Sequence, residues 1–489
     1  MPAEPHPQTT ADQTIADQTA ADQITAGRLD LVVRGGTVVT ADGEVRADVG
    51  IAGGVIVQLG GPMAGVDEID ATGLLVLPGG IDLHVHLEAT DADRTEPRWV
   101  DDFASGSRAA AAGGITTIGA MVFPEDAPAP GELPLASVER MAADAARVSV
   151  VDFLLHPVLI DPRPEVVAQI PALAEGGHTT IKIFTAFGDF DARAGDFLRA
   201  LEMAGRHGVL TMVHCEDGPL VEHAITDLVA AGRGSIDHYA ETRTPSSESA
   251  AVARMIAYSE AVDAPIYIVH LGGAAALAEA RSAQARGLAV YVETRPLYLH
   301  FTRESFAGPD GPLYVGDPPL GTATDLEALW AGLAAGHVHT CCTDHAPWTK
   351  ADKLDPELTV ATARPGVSDL ETMLPMLWAA GVGRGRLSRQ RFVQVTSTNA
   401  ARLTGMFPRK GTVAVGSDAD LAIWDPGLTR TVDGAAGFSR AGHSLHDGWT
   451  TTGWPVTTIS RGVVVHDRGV SAGAAGHGTL VRRGPTRRL

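Results

Sequence analysis

Two histidines, His84 and His86, stand one residue apart in the stretch GGIDLHVHLE. The residues before them form an apolar run of strand character. Strand side chains alternate between faces, so the two imidazoles point the same way. One histidine at such a place reads as a hydrogen-bonded core residue. Two, at i and i+2 on the end of a buried strand, read as a pair of metal ligands. Other apolar runs carry or close on similar groups: Lys182 within TTIKIFTAF, His214 in LTMVHCED, His270 in PIYIVHLGG and Asp344 in HTCCTDHAP. Left unpaired, each of these groups is costly to withdraw from water. A shared metal centre satisfies all of them together.

Lys182 needs a separate account. A protonated ammonium is repelled by metal cations, and burial favours the neutral amine. A neutral amine can add carbon dioxide to give a carbamate, an anionic ligand whose two oxygens can bridge two ions. The alternative is a lysine paired with Asp344 in a metal-free site. Four histidines, a carbamylated lysine and an aspartate suffice for two divalent ions. Imidazole and carboxylate suit zinc above all, with manganese, cobalt or iron able to substitute.

These residues need elements to bring them together. Eight strand candidates, at 80–86, 116–121, 151–159, 179–187, 209–215, 265–271, 289–295 and 339–344, are separated by Ala-rich helical stretches such as DFASGSRAAAAGG. That rhythm predicts a (β/α)8 barrel over 77–405, with its chemistry at the carboxyl ends of the strands. An open doubly wound sheet is the alternative. It would usually carry a Gly-rich dinucleotide turn, and no G-x-G-x-x-G follows a strand here. Short Val/Ile runs broken by Gly and Asp-Gly fill 28–76 and return over 406–470, which predicts one small β-sandwich built from both ends of the chain. Residues 1–27 repeat ADQT and ADQI without an apolar stripe and read as a disordered leader. Residues 471–489 end on the basic stretch HGTLVRRGPTRRL and read as a flexible, solvated tail.

A formal charge of −21 over 489 residues argues against nucleic acid and anionic lipid as partners. Three cysteines, Cys215, Cys341 and Cys342, are too few for a disulfide framework, which suggests a reducing cytoplasm. The sequence contains neither a signal-peptide pattern nor a membrane-length apolar run.

From about Leu29 to about Arg468 the chain resembles the cyclic amidohydrolases of the amidohydrolase superfamily: hydantoinase, dihydropyrimidinase and allantoinase. The resemblance is carried by GGIDLHVHLE, AAAAGGITTI, IKIF, VHCED, YIVHLGG, VYVETRPLYL, GDPPLGTATDLEALWAGLAAG, CTDHAP and PRKGTVAVGSDADLAIWDP taken together. It implies that His84, His86 and Asp344 hold one ion and that His214 and His270 hold the other. Carbamylated Lys182 and a hydroxide would bridge them, and Asp344 would move the proton from the attacking oxygen to the leaving ring nitrogen. The implied reaction opens a small cyclic amide to a carbamoyl or ureido acid, in a homodimer or homotetramer.

Some positions depart from the family pattern. Phe187 stands five residues after the lysine, where hydantoinases usually have a tyrosine that binds the carbonyl oxygen. Pro365-Gly366 replaces an Asn-Gly that touches the ring. Arg295 follows Thr294 in the turn before Pro296, where a small residue is common. Its guanidinium suits either an anionic substrate group or a surface ion pair. Phe187, Thr294, Arg295 and Gly366 are therefore the expected substrate contacts. The RTE…W of the loop after the histidines is similar to allantoinase, which keeps that activity as an alternative. A non-catalytic scaffold of the same fold is the remote one.

Overall fold

The structure is a computed structural model that describes residues 29–90, 98–124, 131–187, 189–486 and 489. The expected leader, and the RTE of the allantoinase-like loop, lie outside the described residues. The central strands are β1 (Gly80–Val85), β2 (Ile115–Val122), β3 (Asp152–Pro157), β4 (Thr180–Phe184), β5 (Leu210–His214), β6 (Ile266–Ile268), β7 (Val290–Thr294) and β8 (Thr340–Cys341). β1, β2 and β3 pair in parallel, as do β4 through β8 in sequence order. Parallel bridges Val158↔Lys182 and Val85↔His345 join the two groups into a ring. The closed (β/α)8 barrel sets aside the open-sheet alternative.

Several strands stop earlier than the apolar runs suggest. His270 and Asp344 have φ values of 39° and 51°, outside the β region, so β6 and β8 end before them. The β1 ladder has an irregularity between Asp82 and Val85. Leu83 packs with Leu154, Met212 and Tyr267 in a buried cluster, while its neighbour His84 turns to the site above that layer. Helices cover the outside. The helix Phe103–Ala112 starts at Asp102, whose Oδ1 accepts from the backbone N–H groups of Ala104 and Ser105 at 2.9 and 3.0 Å.

A seven-stranded sheet combines both ends of the chain. Leu421–Thr431 lies antiparallel to Leu75–Pro78 and to Thr450–Ser460, and Thr37–Val39 lies parallel to Leu75–Pro78. A four-stranded sheet from Leu29–Arg34, Val49–Ala52, Val55–Leu59 and Gly65–Asp70 packs on it. Val33, Ile51, Val76, Leu421 and Ile459 form the shared core.

The C-terminal segment corrects the expectation of a solvated, flexible tail. Leu480 bridges Phe153 of β3, and the N–H of Thr479 donates to Asp152 Oδ1 at 2.9 Å. Val481 and Arg483 are buried. Unused backbone groups beside β3 give this basic stretch a partner that charge pattern alone does not reveal. No helix among the described residues is long and apolar enough to cross a membrane.

Candidate metal centre

His84, His86, Lys182, His214, His270 and Asp344 all line one cavity of about 300 Å³ at the carboxyl ends of the strands. β1 delivers His84 and His86. Asp82 pins this strand end against the chain following β8. Its Oδ1 accepts from the N–H groups of His84 and Thr343 at 3.0 and 3.1 Å, and its Oδ2 accepts the Thr343 hydroxyl at 2.5 Å. The N–H of His86 donates to the His345 carbonyl at 2.7 Å.

Asp344 Oδ1 lies 2.9 Å from His86 Nε2 and 3.3 Å from His84 Nε2. The three side chains offer ligand atoms within 4.8 Å of one another. His84 Nδ1 lies 2.8 Å from Glu293 Oε1. That carboxylate fixes the proton on Nδ1 and leaves the Nε2 lone pair facing Asp344. A lone pair and a carboxylate oxygen directed at each other require a cation or a proton between them. Glu293 also accepts the His270 N–H at 3.0 Å and the Tyr267 hydroxyl at 2.6 Å, so one carboxylate orients two of the imidazole-bearing segments.

On the other side, His214 Nε2 lies 2.8 Å from Glu216 Oε2, which leaves Nδ1 as the lone-pair donor. The His214 and His270 rings lie 4.6 Å apart, and the His84 and His270 rings 5.4 Å apart. Lys182 sits between these groups, fully buried, and its Nζ has no hydrogen-bond partner. Burial pushes its pKa down to about 8, against the pull of Asp344 and Glu293. Burial likewise lowers His86 to about 4 and His270 well below the usual imidazole value. Burial works to raise Asp344, but Arg295, His84 and His86 hold it well below the usual carboxylate range. The cluster therefore presents four imidazoles, two of them held towards the neutral form by burial, one ionised carboxylate and an amine that gives up its proton more readily than an ordinary lysine. That donor set suits divalent cations.

The expected substrate contacts separate into two groups. Phe187 and Gly366 line the cavity. Phe187 is 43% exposed at the mouth, with its ring 5.7 Å from Phe184 and 5.4 Å from His214. Gly366 has φ +126°, and a Cβ there would stand 2.3 Å from the Ala346 carbonyl oxygen, so this position needs glycine. Thr294 and Arg295 are not among the cavity-lining residues. The Thr294 hydroxyl donates to the Leu271 carbonyl at 3.0 Å. Arg295 does not form a surface ion pair: it is completely buried, and its Nη1 donates to Asp344 Oδ2 at 2.7 Å. The β7 strand end thus commits Arg295 to Asp344 and Thr294 to the Leu271 backbone, and neither lines the cavity.

Sequence reasoning missed the groups that orient the ligands, Glu293, Glu216 and Asp82. It also missed the cavity wall of Trp99, Phe123, Ile160 and Phe184, and Asp317. Asp317 Oδ1 forms an ion pair with Arg243, whose Nε lies 3.0 Å away, and accepts the Tyr239 hydroxyl. A carboxylate inside an apolar run, as in VYVET, is the signal that could have found Glu293. Lys353 was missed as well. Its Nζ donates to the carbonyls of Val315, Arg364 and Gly366 at 2.8, 2.7 and 2.9 Å, which fixes the Gly366 turn.

A profile of the amidohydrolase family matches residues 75–465. The D-hydantoinase of Rhizobium radiobacter is 36% identical over 460 residues, covering 93% of this chain and 99% of the relative. Among solved structures, a D-hydantoinase superposes with a TM-score of 0.88 at 35% identity, over 94% of this chain and all of that one. The dihydropyrimidinase of Brevibacillus agri gives 0.87 at 32% identity, over 94% and 99%. The profile match spans the barrel and the strands Leu75–Pro78, Leu421–Thr431 and Thr450–Ser460 beside it, and the chain belongs to the amidohydrolase family.

Proposed function

We propose that this protein hydrolyses the C–N bond of a cyclic amide of the hydantoin or dihydropyrimidine type with the help of two divalent metal ions. One observation carries the reading: six donor side chains from five strand ends line a single cavity, and among them is a buried lysine amine that has no hydrogen-bond partner. His84, His86 and Asp344 would hold one ion and His214 and His270 the other. Carbon dioxide would add to the Lys182 amine, with loss of one proton, to give a carbamate joining them. When bound, such a pair, zinc by donor chemistry, supplies Lewis acidity to the scissile carbonyl and to the attacking water.

The chain's own residues do the rest. Asp344 Oδ1, which faces the imidazoles, is placed to take the proton of the attacking water and return it to the leaving ring nitrogen. The carbonyl carbon gains an oxygen, the ring C–N bond breaks, and a carbamoyl or ureido acid leaves. Phe187 cannot donate to the carbonyl, so that polarisation falls to other groups. Asp317 supplies a carboxylate at the cavity wall for a ring N–H. Trp99, Phe123, Phe184 and Phe187 favour an apolar or aryl substituent over the polar ureido group of allantoin. The hydantoinase and dihydropyrimidinase relatives point the same way, as does the filled ligand set, which also argues against a non-catalytic scaffold.

The test is turnover of a panel of hydantoin, 5-phenylhydantoin, dihydrouracil and allantoin by protein loaded with zinc and bicarbonate. Ring opening of the first three with little allantoate is the expected result. No turnover by metal-loaded protein would refute the reading. A homodimer or homotetramer and a cytoplasmic location belong to the same proposal; light scattering of purified protein tests the first.

A further inference from the structure

Arg295 is a costly residue to place where it stands. It follows β7 directly and has no exposed surface, and its Nε and Nη2 are buried without a hydrogen-bond partner. Two other buried or half-buried cations, Lys353 and Arg391, tie backbone segments together. Lys353 holds three carbonyls, and Arg391 donates to the carbonyls of Leu333 and Val338 at 2.6 and 2.8 Å. Arg295 holds no backbone at all. Its one direct hydrogen bond goes to Asp344 Oδ2 at 2.7 Å, with its guanidinium 5.6 Å from the Tyr298 ring.

That bond divides the carboxylate. Oδ1 meets the Nε2 atoms of His86 and His84, and Oδ2 belongs to the guanidinium. The backbone of Asp344 is in the left-handed region at φ 51°, so its side-chain direction depends on contacts rather than on a relaxed strand. We infer that Arg295 is a positioning residue for hydrolysis, fixing the outer oxygen of Asp344 so that the inner oxygen faces the imidazole pair. The inference rests on the two-metal reading above and goes beyond it, because the guanidinium touches neither the cavity nor any proposed ligand other than Asp344.

The experiment compares wild type with Arg295→Met and Arg295→Gln, each loaded with zinc or cobalt. For each protein it records metal stoichiometry, the visible spectrum of the cobalt form, melting temperature, and kcat and KM for 5-phenylhydantoin. A freed carboxylate is expected to change the cobalt spectrum. It is also expected to lower kcat by about 100-fold, the scale of a small misplacement of a reacting group, with KM nearly unchanged. Added ethylguanidinium, but not ethylammonium, should restore part of the kcat of Arg295→Met. Unchanged kcat and spectrum in a folded, metal-bound variant overturn the role of Arg295 alone. So does a loss of kcat that follows melting temperature and shows no guanidinium rescue. If Arg295→Met fails to fold, Arg295→Gln, which retains neutral N–H donors, gives the same readouts. Wild type that binds neither metal and opens no ring overturns the two-metal reading as well, and the wild-type arm identifies that case.

Discussion

Lys410 and Lys182 are both withdrawn from solvent, at 2% and 0% exposure, but their surroundings are opposite. Lys410 Nζ lies 2.6 Å from Asp420, 2.7 Å from Asp152 and 3.0 Å from Asp418. These three carboxylates could pass for a cation site, but the ammonium already occupies their centre. Burial works to lower its pKa, and the aspartates outweigh that and raise it. Lys182 has no hydrogen-bond partner, and burial takes it down to about 8. The first lysine is satisfied and joins β3 of the barrel to the chain leading into the mixed-end sheet. The second is left with an unmet requirement, which is what a residue awaiting carbon dioxide and metal would show.

Lys182→Ala breaks the comparison most sharply. It removes the proposed bridge and no hydrogen bond, so the expected result is a loss of kcat of roughly 1000-fold or more, on the scale of several kcal/mol of metal activation. Melting temperature of the metal-free protein should change little. Chelation of wild type should match the activity loss and be reversed by zinc. A Lys182→Ala protein that keeps its turnover would remove the functional side of the contrast.

Lys410→Met reverses the pattern. Breaking a buried charge cluster by removing one partner costs about 3–5 kcal/mol, because Asp420 is left without its cation and Asp152 keeps only Arg461. Denaturant titration should show that loss, while kcat per folded, metal-bound molecule stays at the wild-type value. A stable Lys410→Met protein, or one with an intact fold and impaired kcat, contradicts the assignment.

The pH dependence sharpens the same point with a smaller effect. Burial works to raise Asp152, but Lys410 and Arg461 beside it hold it below its ordinary value of 3.8. A carboxylate depressed in the folded state stabilises above its unfolded pKa, and that stability is lost as pH falls through the folded one. Wild type should therefore lose the contribution of Asp152 below about pH 4. Lys410→Met keeps only the share that Arg461 supplies to Asp152, so it has less to lose. The gap in melting temperature between the two should be widest near neutral pH and narrow towards acid. A gap that widens in acid reverses the sign and rules the mechanism out.

The two lysines also show what could be read from the sequence. Lys182 was legible because an ionisable residue inside TTIKIFTAF contradicts its apolar surroundings, and the same contrast exposed the four histidines and Asp344. Strand rhythm located the barrel, because alternating apolar runs and Ala-rich stretches are local signals. Lys410 stands in PRKGTVAVGSDADLAIWDP close to Asp418 and Asp420, but its third partner, Asp152, is 258 residues away, and nothing local shows that the three carboxylates meet around it. Arg295 failed for the same reason: alone, an arginine defaults to the surface, and only closure of β7 against β8 brings Asp344 to it. The tail failed because pairing beside Phe153 needs free backbone groups, which leave no mark in composition.

Phe187→Tyr tests the finest part of the contrast, whether the Lys182 side of the site is still one donor short. Phe187 reaches the cavity mouth beside His214 and is 43% exposed, so a phenolic oxygen there costs little stability. A neutral hydrogen bond made mainly to the developing oxyanion is worth about 1.4 kcal/mol, or roughly tenfold in kcat, less than a fully preorganised oxyanion donor. The expected outcome is a rise in kcat of that size on dihydrouracil with KM little changed. Because the hydroxyl would act on the transition state, the gain should persist at saturating substrate. A kcat that stays level or falls would mean the carbonyl is already fully polarised without that wall, and that the phenylalanine shapes the pocket instead.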